Sequence, residues 1–397
     1  MIGPDEALAR ALALAAPLPE ETIPLQGASG RYMTQSAQAL RDQPPFDASQ
    51  MDGYALPDDQ PGVGQSFTIV AEIAAGHRWE GRLQAGQAAR IFTGAPVPKG
   101  TKRVVIQEDV TRDGDQITLK DGMDRDLYIR PQGSDFATGH RVGPKRLRPY
   151  DLALLAAMNC AEVTVSRRPV VAILSTGDEL VWPGQTPSPA QIIASSAYAL
   201  AALCQEEGAQ TRILPLAADR FETLEACLTL AKGADLVLTT GGASVGAHDI
   251  VAGVAKHLGM TLDFWKIAMR PGKPLIAGRL QDAVFLGLPG NPVASMVCGD
   301  LFVRPILRRL QGLDIALCPQ KPRTGLLTRP LAKNGARAHY QRATLSYDAQ
   351  GTALLTPFAQ QDSAHLRILS QSDALVIQPA HDGPRAAGEP IGYLPLG

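Results

Sequence analysis

The sequence predicts an α/β fold with all-β parts: a central doubly wound, mostly parallel α/β domain, a β-rich inserted domain and a C-terminal β-barrel. Four apolar runs without polar alternation are typical of strands buried on both faces of a parallel sheet: RPVVAIL, TRILPL, DLVLTT and DAVFLGL. Helical patterns separate these runs, among them SSAYALAALCQEEG and DIVAGVAKHLG, which close on Gly208 and Gly259. Short strand-like segments between glycine- and proline-rich turns flank this region on both sides.

Composition separates the chain into four regions, and 397 residues with 45% hydrophobic side chains are enough for several cores. Residues 1–45 and 136–167 are expected to form a discontinuous helical and linker domain, in which YDLALLAAMNC packs with the N-terminal helix. Residues 46–135 form the β-rich inserted domain, with a hairpin around Asp113-Gly114. Residues 168–319 form the α/β domain, and residues 320–397 form a small β-barrel or sandwich.

Charge and cysteine content narrow the class of protein. With 38 basic and 39 acidic residues the net charge is −1, which argues against a general binder of nucleic acid or anionic membranes. The five cysteines are scattered without CxxC spacing and are expected to be reduced thiols. The N-terminus carries acids where a signal peptide needs basic residues, and no segment has the length of a membrane span, so we expect a cytoplasmic protein.

Polar groups follow each of the four predicted strands. In open parallel sheets, ligands bind at the carboxyl ends of the strands, so four such groups together predict a ligand site. These groups are Ser175, Thr176, Gly177, Asp178 and Glu179 after the first run, Asp219 after the second, Gly241, Gly242, Ser244, Gly246 and Asp249 after the third, and Pro289, Gly290, Asn291 and Pro292 after the fourth.

The stretch TTGGASVGAHD has more glycines than a simple turn requires. Glycines after a strand allow backbone N–H groups to turn inward and bind an anion, and the next helix adds its positive end. Asp249 then fits either a helix cap or a Mg²⁺ ligand beside a phosphate, and its position alone does not decide between them. Asp178 and Glu179 are either solvated loop acids or, if they face Asp249, part of a metal or general-base cluster.

Other candidates are weaker by themselves. Asn291 and Pro292 fit an N-cap and first helical position, which needs no function. In FWKIAMRPGKPL, the cations Lys266, Arg270 and Lys273 suit either an oxyanion site or a surface hairpin, and we expect the first two to converge on one anion. In the second region the acids and the threonine taken singly are typical of turns: Asp47, Asp52, Thr93 and Asp135.

Taken in order, the motifs resemble the molybdopterin molybdenumtransferase family, which includes bacterial MoeA and the gephyrin E domain. The matching stretches are PPFDASQMDGYA, FTGAPVPKG, VVIQED, RPQGSDF, RPVVAILSTGDEL, TTGGASVGAHD, FWKIAMRPGKP, GLPGNPVAS, RAHYQRATL and QQDSAHL. The resemblance implies a four-domain elongated homodimer that binds adenylylated molybdopterin, molybdate and Mg²⁺. It implies cleavage of the adenylate with AMP release, insertion of molybdenum into the dithiolene, and contacts with molybdopterin adenylyltransferase and client molybdoenzymes.

The resemblance also assigns site residues and shows departures. The positions that match family sites are Asp52, Thr93, Asp135, Glu179, Asp219, Asp249, Lys266, Pro289, Pro292, Arg342 and Ser363, with Glu179 and Asp249 expected at the metal. The family usually has Asp-Ser-Asn where this chain has Ala194, Ser195 and Ser196, and commonly Lys where Arg270 stands. The rival interpretations are a molybdopterin adenylyltransferase and a non-catalytic carrier or scaffold.

Overall fold

The computed structural model describes residues 1–242 and 250–396. The chain divides into two compact units. Unit 1 comprises Met1–Glu21, Gly30–Tyr32 and Ser166–Gly397, and unit 2 comprises Thr22–Ser29 and Met33–Val165.

The helices of the described residues are, in chain order, α1 Pro4–Ala13, α2 Pro149–Ala157, α3 Ser196–Glu206, α4 Phe221–Thr229, α5 Ile250–His257, α6 Pro292–Cys298, α7 Arg304–Leu310 and α8 Leu366–Ser370. A π-helical turn, Gly299–Val303, joins α6 to α7. Short 3-10 helices are Leu25–Gly27, Gln107–Asp109 and Ile315–Leu317.

The strands that precede the α/β domain are β1 Glu20–Pro24, β2 Tyr32–Met33, β3 Ala37–Gln38, β4 Ala48–Ser49, β5 Gly53–Leu56, β6 Ser66–Ile73, β7 Gln87–Ile91, β8 Arg103–Ile106, β9 Val110–Asp113, β10 Gln116–Leu119, β11 Ile129–Arg130, β12 Arg141–Val142, β13 Lys145–Arg146 and β14 Glu162–Ser166. The strands that follow are β15 Val170–Ser175, β16 Leu180–Val181, β17 Ile192–Ile193, β18 Gln210–Ile213, β19 Leu236–Thr240, β20 Met260–Trp265, β21 Met269–Arg270, β22 Ile276–Leu280, β23 Ala283–Leu288, β24 Arg323–Leu327, β25 Ala338–Tyr347, β26 Ala353–Pro357, β27 Ala374–Gln378 and β28 Pro390–Pro395.

A six-stranded sheet in unit 1 has the order β18-β15-β19-β23-β22-β20. The first four strands are the four predicted apolar runs, and they are parallel to one another, while β22 and β20 extend the sheet in antiparallel fashion. Alternate residues of β15 belong to different cores, since Ile173 packs in one hydrophobic cluster and Ala172 and Leu174 in another. The mostly parallel, doubly covered sheet is therefore confirmed. The expectation that all four runs are buried on both faces is wrong for β18, which lies at the edge of the sheet and is largely exposed.

Helix α1 packs differently from the prediction. Its buried residues Ala7 and Ala11 share a core with Phe302 and Ile306 in unit 1, whereas Leu155 of α2 lies in a core of unit 2. The expected pairing of α1 with α2 is wrong. Small alanine side chains allow α1 to lie close against α7, and polar contacts such as that from Arg10 Nε to Asp263 Oδ1 (2.8 Å) hold it there.

The C-terminal strands form a closed five-stranded barrel. The order β25-β26-β24-β28-β27 closes through pairing of β25 with β27, and β24 runs parallel to β26. Leu355, Val376 and Tyr393 pack in its interior. Strand β21 lies parallel to β25, with Met269 opposite Ala338 and Arg270 opposite His339. The barrel, rather than the sandwich, is the observed architecture.

Unit 2 contains a second six-stranded sheet, of order β8-β5-β7-β6-β10-β9. Strands β9 and β10 form the predicted hairpin, in which Asp113 pairs with Gln116 and Gly114 has a φ of 57°. Left-handed φ values of this kind favour glycine in tight turns. The β-rich character of this region is confirmed. Within the described residues, no helix has the length and apolarity required to cross a membrane.

Candidate active site

A cavity of about 880 Å³ lies where β15, β19 and β23 end, and its lining comes wholly from unit 1. Short bends at the strand ends bring side chains and bare backbone to the same opening, as expected for an open parallel sheet. The predicted site residues that line it are Ser175, Thr176, Glu179, Asp219, Gly241, Gly242, Arg270, Lys273, Pro289, Gly290, Asn291, Pro292 and Ser363. Ser244, Gly246 and Asp249 lie outside the described residues.

Asp219 is held in place by the loop that follows β15. Thr176 Oγ1 donates to Asp219 Oδ1 at 2.5 Å, and the Asp219 backbone N–H donates to Asp178 Oδ1 at 3.1 Å. Gly177 N donates to the Ala217 carbonyl at 3.1 Å. Asp178 therefore fixes the Asp219 loop, and neither Asp178 nor Gly177 is among the residues that line the cavity.

Three glycines bring the strand-end loops into backbone contact. A Cβ at Gly241 would lie 2.2 Å from the Thr176 carbonyl oxygen, and Gly241 has a φ of +92°. A Cβ at Gly242, with a φ of +63°, would lie 2.2 Å from a methyl carbon of Val251. A Cβ at Gly290 would lie 3.4 Å from the Gly241 Cα atom. The loops after β15, β19 and β23 pack closely enough at this point that a side chain at Gly241 or Gly242 would collide.

The lining of the cavity contains carboxylates. Glu179 covers Gly177, where a Cβ would lie 2.4 Å from Glu179 Oε2, and Asp219 is the second predicted acid in the lining. Carboxylate oxygens are suitable ligands for a hard cation such as Mg²⁺. Among the described residues there is no cluster of three or more His, Cys, Asp or Glu side chains that could hold a metal ion. The carboxylates of Glu179 and Asp219 are chemically suitable ligands for such an ion. Asp249, the other expected ligand, lies outside the described residues.

The lining also contains the cations Arg270, Lys273 and Arg337, together with a third acid, Asp362. Arg270 Nε donates to His339 Nε2 at 3.2 Å, and Arg270 Nη2 lies 3.3 Å from His339 Nδ1. Burial and the neighbouring Arg270, Arg342 and Arg337 lower the pKa of His339 to about 4, so the imidazole is neutral near pH 7.

Lys266 does not line the cavity. Its backbone has a φ of 70°, and its Nζ lies 3.8 Å from the centre of the Trp265 ring. A cation over an aromatic face is stabilised there, which gives Lys266 a partner other than an anion. The expected convergence of Lys266 and Arg270 on one anion is therefore not seen.

The loop after β23 contacts the segment between β26 and α8. Asn291 Nδ2 donates to Ser363 Oγ at 2.9 Å, and Val293 N donates to the Ser363 carbonyl at 3.1 Å. Asn291 and Pro292 occupy the N-cap and first positions of α6, as predicted, but the Asn291 side chain makes no capping hydrogen bond. That side chain instead fixes Ser363 at the cavity.

Arg342 contacts the segment that lines the cavity without lining it itself. Its side chain is 1% exposed and is not part of the lining. Its backbone N donates to Gln361 Oε1 at 3.0 Å, and its Nη1 donates to the His365 carbonyl at 3.3 Å. Since Gln361 and Ser363 line the cavity, Arg342 holds the segment that presents them.

The predicted residues of the second region belong to unit 2. Thr93 donates to Asp52 Oδ1 from both its backbone N (2.7 Å) and its Oγ1 (2.8 Å), and these hydrogen bonds lower the pKa of Asp52. Asp135 N donates to the Gln43 carbonyl at 3.0 Å. Two residues 41 positions apart in sequence thus form one local structure, with the carboxylate of Asp52 kept ionised.

Some lining residues were not singled out from the sequence. Arg337 and Gln361 line the cavity, and His339 contacts Arg270 from β25. Positions 337 and 339 alternate along an extended segment, which indicates a shared face. The pairing of β21 with β25 brings that face next to Arg270. No local pattern in the sequence predicts this pairing. Ala194, Ser195 and Ser196, the positions of the family's Asp-Ser-Asn, also line the cavity.

Comparisons with known proteins identify the family. Residues 2–159 match the model described as the MoeA N-terminal region (domain I and II), residues 172–309 the probable molybdopterin binding domain, and residues 324–396 the MoeA C-terminal region (domain IV). A molybdopterin molybdenumtransferase of Haemophilus influenzae is 32% identical over 386 residues, 96% of this chain and 95% of that protein. The chain belongs to the molybdopterin molybdenumtransferase family.

Further relatives agree with this membership. A molybdopterin molybdenumtransferase of a Nostoc species is 38% identical over 307 residues, 74% of this chain and 70% of that protein. A solved molybdopterin biosynthesis MoeA protein from Pyrococcus horikosii is 27% identical, with a TM-score of 0.82 over 99% of this chain and 98% of that one. The family is one of transferases in molybdenum cofactor biosynthesis, and neither the adenylyltransferase nor the carrier interpretation is favoured.

Proposed function

We propose that the protein inserts molybdenum from molybdate into adenylylated molybdopterin, with Mg²⁺-dependent release of AMP. The observation that carries the proposal is that one cavity is lined both by carboxylates, including Glu179 and Asp219, and by the cations Arg270, Lys273 and Arg337. A phosphate-linked substrate with a divalent cation requires the first kind of group, and an oxyanion requires the second. A cavity of about 880 Å³ is large enough for a ligand of this class.

The cations of the lining would bind molybdate. Molybdate is a doubly charged oxyanion, and its burial without compensating charge would be prohibitive. The Arg270 guanidinium offers a planar fork of donors and Lys273 a compact ammonium, so together they can both orient the anion and balance its charge. Ser363, fixed by Asn291, adds a hydroxyl close to this region of the lining.

Glu179, together with Asp249, is the proposed holder of Mg²⁺, in keeping with the oxygen ligands this ion prefers. When bound, the ion supplies charge neutralisation at the phosphates of the adenylylated substrate. Asp219, oriented by Thr176, is placed to accept a proton or a hydrogen bond from substrate or from a bound water. The glycine-lined loops let the substrate approach the backbone closely.

The direct test is an assay of purified protein with adenylylated molybdopterin, Mg²⁺ and molybdate, followed for AMP. We expect AMP release that depends on both molybdate and Mg²⁺. Asp219→Asn keeps the shape of the side chain and removes its charge, so it should lower the rate while leaving the melting temperature unchanged. AMP release that is equal with and without molybdate would contradict the proposed insertion step.

The assembly and setting of the enzyme are part of the proposal. We propose a cytoplasmic homodimer in which Asp52, Thr93 and Asp135 of one subunit complete the site of the other, as the family resemblance implies. Support comes from the carboxylate of Asp52, which Thr93 holds ionised in unit 2, while the cavity lining belongs to unit 1. The five free cysteines accord with a reducing compartment. Molybdopterin adenylyltransferase and molybdoenzyme clients are the proposed partners.

A further inference from the structure

The guanidinium of Arg270 is held by a neutral partner. Strand β21 pairs with β25 so that Arg270 lies directly opposite His339, and His339 is only 5% exposed. The two contacts, at 3.2 and 3.3 Å, use Arg270 Nε and Nη2, which form one edge of the guanidinium. Nη1 has no hydrogen-bond partner among the residues that the structure describes. One edge is therefore fixed on the barrel, and the other remains for a ligand in the cavity.

A neutral partner has a specific electrostatic consequence. A carboxylate at this position would form a charge-assisted, bidentate pair with Arg270 and would offset its charge. The imidazole accepts a hydrogen bond without offsetting that charge, and it remains unprotonated because it is buried and three arginines lie near it. Arg270 thus keeps its positive charge in a lining that also contains Lys273 and Arg337.

We propose that His339 is a positioning residue for the oxyanion, in that it orients the guanidinium of Arg270 toward the cavity while leaving its charge available to the bound dianion. This inference rests on the proposed function, because it takes molybdate as the ligand of Arg270. It adds a residue from the barrel that acts on the ligand only through Arg270.

The test measures binding of molybdate to the purified protein by titration calorimetry, and the molybdate dependence of AMP release. His339→Glu should weaken molybdate binding at least tenfold and raise the half-saturating molybdate concentration by a similar factor, with less than a twofold change in kcat. His339→Gln, which keeps a neutral acceptor, should stay within threefold of the natural protein. In an Arg270→Ala background, the neutral His339→Leu change should have no further effect.

A matched control adds the same charge elsewhere on the strand. Ser346→Glu places a carboxylate on the exposed part of β25 and should leave molybdate binding unchanged. Melting temperatures of all variants identify any that fail to fold. If His339→Glu fails to fold, the test compares the two neutral variants His339→Gln and His339→Leu. His339→Leu has no hydrogen-bond acceptor and should bind molybdate at least fivefold more weakly than His339→Gln.

The possible results separate this inference from the proposed function. If the natural protein binds no molybdate, or if Arg270→Ala binds it unchanged, the oxyanion site assigned to Arg270 is wrong and the inference fails with it. If Arg270→Ala weakens binding but His339→Glu and His339→Leu do not, only the role of His339 is overturned.

Discussion

At the scale of single residues, the site depends on groups whose charge is set by their surroundings. His339 is the clearest case, because burial and three nearby arginines lower its pKa from 6.5 to about 4. Asp52 is the opposite case, since two hydrogen bonds from Thr93 stabilise its charged form and lower its pKa. A neutral histidine beside arginines and an ionised aspartate beside a threonine both require specific local partners.

The low pKa of His339 predicts a loss of stability in acid. Between pH 6.5 and 4 the unfolded chain binds a proton at this histidine and the folded chain does not, so the free energy of unfolding falls as the pH falls through this window. His339→Gln does not titrate there. On lowering the pH from 7 to 5, the natural protein should lose about 2 kcal/mol more than His339→Gln, a figure that follows from the linkage relation.

The measurement is urea unfolding of both proteins at pH 7 and pH 5, each carrying Trp79→Phe so that the tryptophan fluorescence comes from Trp182 and Trp265 of unit 1. All other titrating groups are common to the two proteins, so the difference isolates His339. Equal losses in the two proteins would show that His339 is protonated to the same extent when folded and unfolded.

The sequence predicts which residues line the cavity where a side chain lies next to its own strand end. Ser175, Thr176, Glu179 and Asn291 line the cavity because the bend after a buried strand places them there. Lys266 and His339 show the limit. Lys266 contacts its neighbour Trp265 and does not line the cavity. His339 contacts the cavity residue Arg270 only because two strands pair across 69 residues of chain.

At the scale of elements, the loops after β15, β19 and β23 act as one packed structure. Gly241 is the tightest point, because its φ is +92° and a Cβ would lie 2.2 Å from the Thr176 carbonyl oxygen. Gly241→Ala should therefore destabilise the protein by roughly 2 kcal/mol or more, from the unfavourable backbone conformation and from the collision. It should also abolish AMP release, since the loops can no longer take their native positions.

Gly253 provides the matched comparison for that variant. It lies within α5, and a Cβ there meets nothing within 4 Å. Gly253→Ala should stabilise the protein by up to about 1 kcal/mol, because alanine is preferred over glycine in a helix interior. Thermal unfolding of the two variants and the natural protein measures both effects. An unchanged melting temperature for Gly241→Ala would mean that these loops are not packed as described.

Elements were predictable from sequence where burial alone determines them. The runs that form β15, β19 and β23 are largely apolar because helices cover both faces of the sheet, and the Asp113-Gly114 hairpin is specified by its turn residues. The edge strand β18 is polar and largely exposed. The partner of α1 was not predictable, since it lies far away in the sequence, at Phe302 and Ile306, and an alanine-rich helix fits many surfaces. Closure of the barrel was also not predictable from the sequence, because it depends on the β25–β27 pairing rather than on any local pattern.

At the scale of the whole molecule, the two sets of proposed site residues belong to two compact units of one chain. Arg270, Asp219 and Glu179 line the cavity of unit 1, and Asp52 with Thr93 belongs to unit 2. The proposed homodimer uses both sets, with each complete site formed from two subunits. Variants in the two sets should therefore complement each other when mixed.

Complementation between Asp52→Asn and Asp219→Asn gives a quantitative form of this prediction. Both substitutions keep the shape of the side chain, and the amide oxygen introduced by Asp52→Asn could still accept the hydrogen bonds of Thr93, so each homodimer should fold but release little AMP. If subunits exchange at random, half of the dimers are mixed, and each mixed dimer has one site with both substitutions and one with neither. The mixture should then recover about a quarter of the natural activity, since one intact site in half of the dimers is one quarter of all sites. Exchange is confirmed by tagging the two variants differently and purifying the mixed dimer, which should have half the natural activity. A purified mixed dimer no more active than its parents would mean that Asp52 and Asp219 do not serve one shared site across subunits.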